Sequence, residues 1–371
     1  MDILLVGGGG YAFGYINSLL NQKDKSVVIK GIVEPYFSTC TNKKDIEKAN
    51  IQVYSSMEDF YCENQAELAI ISTPPFLHCK QSIYALSHGS HVLCEKPLAP
   101  TVKEAKAMLN AEKEYGKWIA IGYQWSFSKE IQNLKNDILS GLFGLPVSFK
   151  TAISWPRDLT YYGRGTGWAG KISQDGALVL DSIVSNGCAH YLHNMLFLLG
   201  DRIDTSAEVD EYEATCFRAN NIESFDTCSL KMNAGGTSLY LIASHAAQKN
   251  RDPEFIYKFE NALVDYSEES HNIRATFSDG TVKYYGDPSV DMFKKLWDCI
   301  DAVRKGITPV CTVKTAMAHT KLIEKMHYNV PINDVPKDLI VFEEKENRIF
   351  VDGLYEKMYY AYDNEALLQI K

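Results

Sequence analysis

Ile3-Leu4-Leu5-Val6-Gly7-Gly8-Gly9-Gly10-Tyr11-Ala12 is the stretch that decides the fold. Four apolar residues make a strand-length run that a glycine closes, and a helical pattern follows from about Ala12 to Asn21. Within the turn, Gly7, Gly9 and Ala12 spell G-x-G-x-x-A between strand and helix. Gly7 allows a tight turn, Gly9 lets the backbone approach a pyrophosphate, and Ala12 is small enough for the helix to pack on the strand. A pyrophosphate lying there meets the unpaired N–H groups of the helix start, beside Gly10 and Tyr11. The alternative reading is a glycine-rich turn in some other α/β protein.

Outward from this turn, strand-like and helix-like runs alternate through residue 122. Val27 to Val33 is a second apolar run and ends in Glu34, 22 residues beyond Ala12. A carboxylate at that position accepts hydrogen bonds from an adenosine ribose and repels a 2′-phosphate, which favours NAD over NADP. Leu68 to Ile71, His91 to Cys94 and Trp118 to Ile121 read as further strands, with helices over 80–87 and 101–115. Alternation of this kind predicts an α/β domain, a Rossmann-type doubly wound parallel sheet over residues 1–122.

Beyond Gly122 the pattern changes. Val147 to Ser154 alternates as a strand, Trp155 to Asp175 has no clear period, and 178–199 reads as one helix. Several β-rich runs lie between Glu208 and Tyr285, followed by helices over 293–304 and 314–327. Residues 123–371 are expected to form a second, α+β domain with a largely antiparallel open sheet. The tail after Pro331 shows one strand-like run, 348–351, and a final helical piece, with three places open to it: over the sheet, against a neighbouring subunit, or beside the pocket.

The chain has 371 residues, 46% apolar and 23% charged, a composition that excludes wholesale disorder. Its 38 basic and 47 acidic side chains give a net charge of −9, which argues against a nucleic-acid surface across the molecule. No apolar run approaches the roughly 20 residues of a membrane helix, and no basic or cleavable apolar stretch precedes Ile3. The cytoplasm is the expected location. The nine cysteines are irregularly spaced without a C-x-x-C pair, so reduced thiols are expected, with no metal site.

Three further constellations carry chemistry. Thr73-Pro74-Pro75-Phe76-Leu77-His78 follows a parallel strand at its carboxyl edge, where doubly wound sheets bind ligands; His78 packing locally is the plainer reading. Cys94-Glu95-Lys96-Pro97 stands at the next such edge, where a lysine can hydrogen-bond a substrate oxygen and stabilise negative charge; Pro97 is a candidate for a cis peptide. Asn186 and His190 share a face if 178–199 is one helix, and a neutral imidazole suits a base for a hydroxyl proton near neutral pH. His193 lies three residues on, and either histidine is alternatively a core residue.

Together, Gly7-x-Gly9-x-x-Ala12, Glu34, Thr73-Pro74 with His78, Glu95-Lys96-Pro97 and the His190 segment resemble the Gfo/Idh/MocA family of oxidoreductases, over roughly residues 1–330. The resemblance implies an NAD- or NADP-dependent dehydrogenase of sugars, inositols or related polyols, assembled as a dimer or tetramer through the open sheet. It places the catalytic lysine on Lys96 and the catalytic histidine on His190. Gly7, Gly9, Gly10, Tyr11, Ala12, Glu34, Thr73, Pro74, His78, Glu95 and Lys96 are the expected cofactor contacts. Tyr161, Tyr162, Arg164, Trp168 and His193 are candidate substrate contacts. The family's helix usually reads Asp-x-x-x-His, and here Asn186 stands in the aspartate's place; it orients a ring but supplies no charge, which leaves three readings: His190 works with a lower pKa, Asp181 compensates from the same region, or the chemistry has changed. Two other classes stay open: an NAD-dependent glycosidase acting by transient redox, and a non-catalytic dinucleotide-binding sensor.

Overall fold

The computed structural model describes residues 1–267 and 269–371. The first half contains β1 (Asp2–Val6), α1 (Ala12–Asn21), β2 (Val28–Val33), α2 (Lys43–Lys48), β3 (Val53–Tyr54), α3 (Met57–Glu63), β4 (Leu68–Ile71), α4 (Pro75–Ser87), β5 (His91–Cys94), α5 (Val102–Tyr115), β6 (Ile119–Ile121) and α6 (Gln124–Phe127). Then come α7 (Lys129–Leu139), β7 (Pro146–Ser154), α8 (Leu159–Gly163), β8 (Ser173–Gln174), β9 (Ala177–Leu178), α9 (Ala189–Leu198), β10 (Glu211–Arg218), β11 (Thr227–Ala234), β12 (Thr237–Ser244), β13 (Arg251–Phe259), β14 (Ala262–Tyr266), β15 (Ile273–Phe277) and β16 (Val282–Gly286). The chain ends with α10 (Lys294–Lys305), α11 (Val313–Asn329), β17 (Ile332–Asp334), β18 (Ile340–Glu343), β19 (Arg348–Val351) and α12 (Leu354–Asp363).

Two compact units result: residues 1–127 with 291–317, and residues 128–290 with 318–371. In the first, six parallel strands run in the order β3-β2-β1-β4-β5-β6. Strands β1 and β4 lie at its centre, and their residues from Ile3 to Val6 and Leu68 to Ile71 are at most 1% exposed. Such strands read as unbroken apolar runs because helices cover both faces. The expected sheet is the observed one. Only β3, two half-buried residues long, was beyond the pattern. The return of 291–317 to this unit differs from an expected second domain running unbroken from 123. Its main chain is tied in directly, with the Ile121 N–H donating to the Cys311 carbonyl at 2.8 Å.

The second unit carries a nine-stranded sheet ordered β16-β15-β14-β13-β7-β12-β11-β10-β17. The β7–β12 and β10–β17 pairs are parallel and the others antiparallel, as the largely antiparallel reading anticipated. One face presents Ala152, Phe217, Tyr240 and Ile242, and the tail lies over it, packing Val351, Leu354, Met358 and Tyr362 there. Hydrogen bonds fix the tail: the Tyr240 hydroxyl donates to the Ala366 carbonyl at 2.8 Å, and the Leu368 N–H donates to Ser229 Oγ at 2.8 Å. Of the three places left open, the tail takes the one over the sheet, and adds β17 and β18 to the single strand expected.

Met358 is fully buried in this contact. Met358→Ala is expected to cost about 2–4 kcal/mol, read as a lower urea midpoint with an unchanged slope. An unmoved midpoint would show that the tail does not contribute to the core.

Candidate functional site

Gly7 has φ +90, and a Cβ there would lie 2.6 Å from the Ser72 carbonyl oxygen, so only glycine fits between the ends of β1 and β4. Gly9 differs. Its φ is ordinary, and a Cβ would meet nothing closer than Thr41 Oγ1 at 3.7 Å. At Gly10 a Cβ would meet nothing within 4 Å. The protein's own packing does not require a glycine at position 9. The open space above the start of α1 fits a diphosphate cradle. Glu34, at the end of β2, accepts the Gly8 N–H with Oε2 at 2.9 Å and the Tyr36 N–H with Oε1 at 3.0 Å. These two bonds aim the carboxylate and leave it lone pairs for ribose hydroxyls. Asn42 donates to the Gly8 carbonyl at 2.7 Å and braces the turn from the other side.

The loops after β4 and β5 are joined by His78. It is fully buried, with Nδ1 2.8 Å from the Pro97 carbonyl and Nε2 2.9 Å from the Thr73 carbonyl. Burial pushes its pKa down, against the pull of these carbonyls. In this structure His78 ties two loops together, which is the plainer of its two readings. Thr73 donates its hydroxyl to Gln81 at 2.5 Å. The Lys96–Pro97 peptide is cis. Glu95 accepts the Lys96 N–H at 3.3 Å and the Tyr15 hydroxyl at 2.5 Å.

The second unit corrects the expected helix over 178–199. A β8–β9 pair ends at Leu178, a π-turn spans Ile183–Gly187, and α9 begins only at Ala189. Asn186 and His190 therefore do not share a face of one α-helix: Asn186 is in the π-turn, His190 in the first turn of α9. Gly187, at the end of the π-turn, has no room for a side chain, since a Cβ would lie 2.4 Å from His245 Nε2. The ring of His245, arriving just past β12, takes the space a side chain would occupy. His245 was missed by the sequence reading; it stands in a strand-end Ser-His-Ala with no local motif to mark it. Its Nδ1 is 2.8 Å from the Trp155 carbonyl, and it lines a small cleft with Tyr161, Tyr162, Asp181 and Ser182. Asp181 accepts the Gly170 N–H there at 2.6 Å.

His193 is 1% exposed and stacked on Phe197, and burial holds its pKa well below the usual histidine value, with His319 and Lys135 adding to the effect. That environment fits the plainer of its two readings, a core histidine. Tyr161 is flanked by two guanidiniums: Arg164 at 3.6 Å from its ring centroid and Arg157 at 4.9 Å. Arg164 also reaches over Trp168 at 5.4 Å. The other six arginines, at 202, 218, 251, 274, 304 and 348, pair with carboxylates.

Residues 1–123 match the GFO_IDH_MocA family model, described as an oxidoreductase family with an NAD-binding Rossmann fold. That third of the chain is similar to the NAD-binding domain of the Gfo/Idh/MocA oxidoreductases. An uncharacterized oxidoreductase of Schizosaccharomyces pombe is 33% identical over 104 residues, 28% of each chain. Inositol 2-dehydrogenase of Salmonella typhimurium is 29% identical over 146 residues, 38% of this chain and 43% of that one. The chain thus matches less than half the length of these curated relatives. The WlbA dehydrogenase from Bordetella pertussis, solved with NADH and UDP-GlcNAcA, superposes with a TM-score of 0.72 at 19% identity. That match covers 88% of this chain and 95% of that one, and at this identity it is a likeness of fold.

Because nothing in the protein crowds a side chain at position 9, Gly9→Val separates the cofactor's demand from the fold's. NADH affinity is expected to fall about tenfold or more, with the melting temperature essentially unchanged. Equal NADH binding by the variant would remove the diphosphate from this turn.

Proposed function

We propose that this protein is an NAD-dependent oxidoreductase that moves a hydride between nicotinamide and a carbinol of a sugar, inositol or related polyol. One observation carries the reading. The open Gly9–Gly10 turn, Glu34 and Glu95-Lys96-Pro97 stand at the carboxyl ends of parallel strands in a domain of an NAD-binding oxidoreductase family. The similarity over 146 residues to an inositol 2-dehydrogenase supports the polyol class.

When bound, NAD supplies the hydride acceptor or donor. The residues of the chain do the rest. Lys96 hydrogen-bonds the carbinol oxygen and stabilises the negative charge that develops as the hydroxyl proton leaves. His190 takes that proton, a task suited to an imidazole near neutral pH. Asn186 leaves the histidine without the usual aspartate, and Asp181 supplies a carboxylate in the same stretch of chain. Tyr161, Tyr162 and Trp168 offer ring faces to a sugar. Arg157 and Arg164, stacked on Tyr161, offer N–H edges to its oxygens.

The test is nicotinamide absorbance with NAD and a panel of inositols, aldoses and uronates. NADH is expected to accumulate with at least one member. Lys96→Ala is expected to lower kcat about a hundredfold or more while leaving the NADH dissociation constant within about threefold. Flat absorbance while a glycoside is cleaved would replace this reading by transient-redox hydrolysis. Near-normal turnover by the variant would remove Lys96 from the chemistry.

A further inference from the structure

Helix α10 brings a lysine beside the glycine-rich end of the first unit and against Glu95, a residue 200 positions earlier in the chain. The Lys295 side chain is 1% exposed, and its ammonium donates to Glu95 Oε1 at 2.5 Å and to the Gly122 carbonyl at 3.3 Å. The same Glu95 oxygen accepts the Tyr15 hydroxyl, while Oε2 accepts the backbone N–H of Lys96. On its other side the ammonium lies 4.8 Å from the Tyr11 ring centroid and 5.5 Å from that of Tyr15. Phe293, two residues earlier, stacks on Tyr11 and meets Tyr15 edge-on. Gly14 makes room for it, since a Cβ there would fall 1.9 Å from Phe293 Cζ. One turn of α10 thus grips both the glycine-rich turn and the loop that carries Lys96.

Burial by itself disfavours the Lys295 ammonium, but the Glu95 carboxylate and Tyr11 outweigh it and hold the pKa above the ordinary lysine value. Lys295 therefore keeps its charge where it is buried against Glu95. Buried ion pairs are weak stabilisers compared with apolar packing of the same volume, so stability alone is a poor account of this one. Its position gives a better account. Glu34 faces the adenosine end at β2. The other half of a dinucleotide then runs past the β1/β4 switch point toward the carboxyl ends of β4 and β5, where Glu95 and Lys96 follow β5.

We propose that Lys295 is a positioning residue for the nicotinamide half of the cofactor site, locking Glu95, and through it the Lys96 backbone, against Tyr11 and Tyr15. The inference rests on the cofactor reading above. Without the ammonium, Glu95 is a buried carboxylate short of its strongest donor. It must take up a proton or turn away, and in either case its grip on the Lys96 N–H loosens.

The test compares NADH with ADP-ribose, which lacks the nicotinamide, by titration calorimetry on the full chain. Lys295→Met is expected to raise the NADH dissociation constant about tenfold or more while ADP-ribose stays within about twofold. Lys295→Arg, which keeps the charge, is expected to recover most of the loss. The double variant Glu95→Gln/Lys295→Met removes both buried charges and carries the test if the single variant does not fold. It is expected to melt close to wild type while keeping the NADH-specific defect. Equal losses for both ligands, no loss for either, or a normal NADH to ADP-ribose ratio in the double variant would overturn the proposal. A wild-type protein that binds ADP-ribose but not NADH would also overturn it, whereas one that binds neither would remove the cofactor reading on which it stands.

Discussion

The closest approach of main chain to main chain at a glycine of the first unit is that of Gly7 to Ser72. A backbone at φ +90 passes so close to the neighbouring strand end that any β-carbon would collide with a carbonyl oxygen. That approach lets β1 end level with β4 and turn at once into α1. Because β1 has β2 on one side and β4 on the other, the chain's connections diverge to opposite sides there and leave a crevice at the carboxyl edge. Glu34, Thr73 and Glu95 come to this one edge because they follow β2, β4 and β5, which run parallel to β1 in the same sheet.

Around the crevice the polar groups are held by main-chain partners more than by one another. Glu34 is aimed by two N–H groups, His78 spans two carbonyls, and Glu95 grips the N–H of the next residue. Such bonds fix loops instead of single side chains, which is what a site needs if its geometry is to exist before its ligand arrives. The ion pair to Lys295 fits this pattern. It is the point at which a helix from the far end of the chain becomes part of the scaffold.

What the sequence disclosed follows from how local each signal is. Five of the six strands of the parallel sheet were legible because its buried strands are largely apolar runs, and the glycine turn and Glu95-Lys96-Pro97 are contiguous. The break between Asn186 and His190 was not legible. The π-turn at 183–187 has no marker in the local pattern, and nothing within a helical turn of Gly187 signals the His245 ring packed beside it from some 60 residues away. Lys295 was hidden in a similar way: in a helix rich in Lys, Asp and Arg it reads as one more solvated charge. Its burial is set by Glu95, about 200 residues earlier. The tail was half legible, since Arg348 to Val351 has a strand pattern, whereas its place over Tyr240 and Ile242 is a matter of tertiary packing alone.

A crystal structure of the protein with NAD bound is the most direct measurement. The account predicts the diphosphate over the Gly9–Gly10 turn, a ribose hydroxyl on the Glu34 carboxylate, and the nicotinamide ring on the β5 side beside Lys96. A dinucleotide bound in the reverse sense, or one whose diphosphate lies away from that turn, would contradict it.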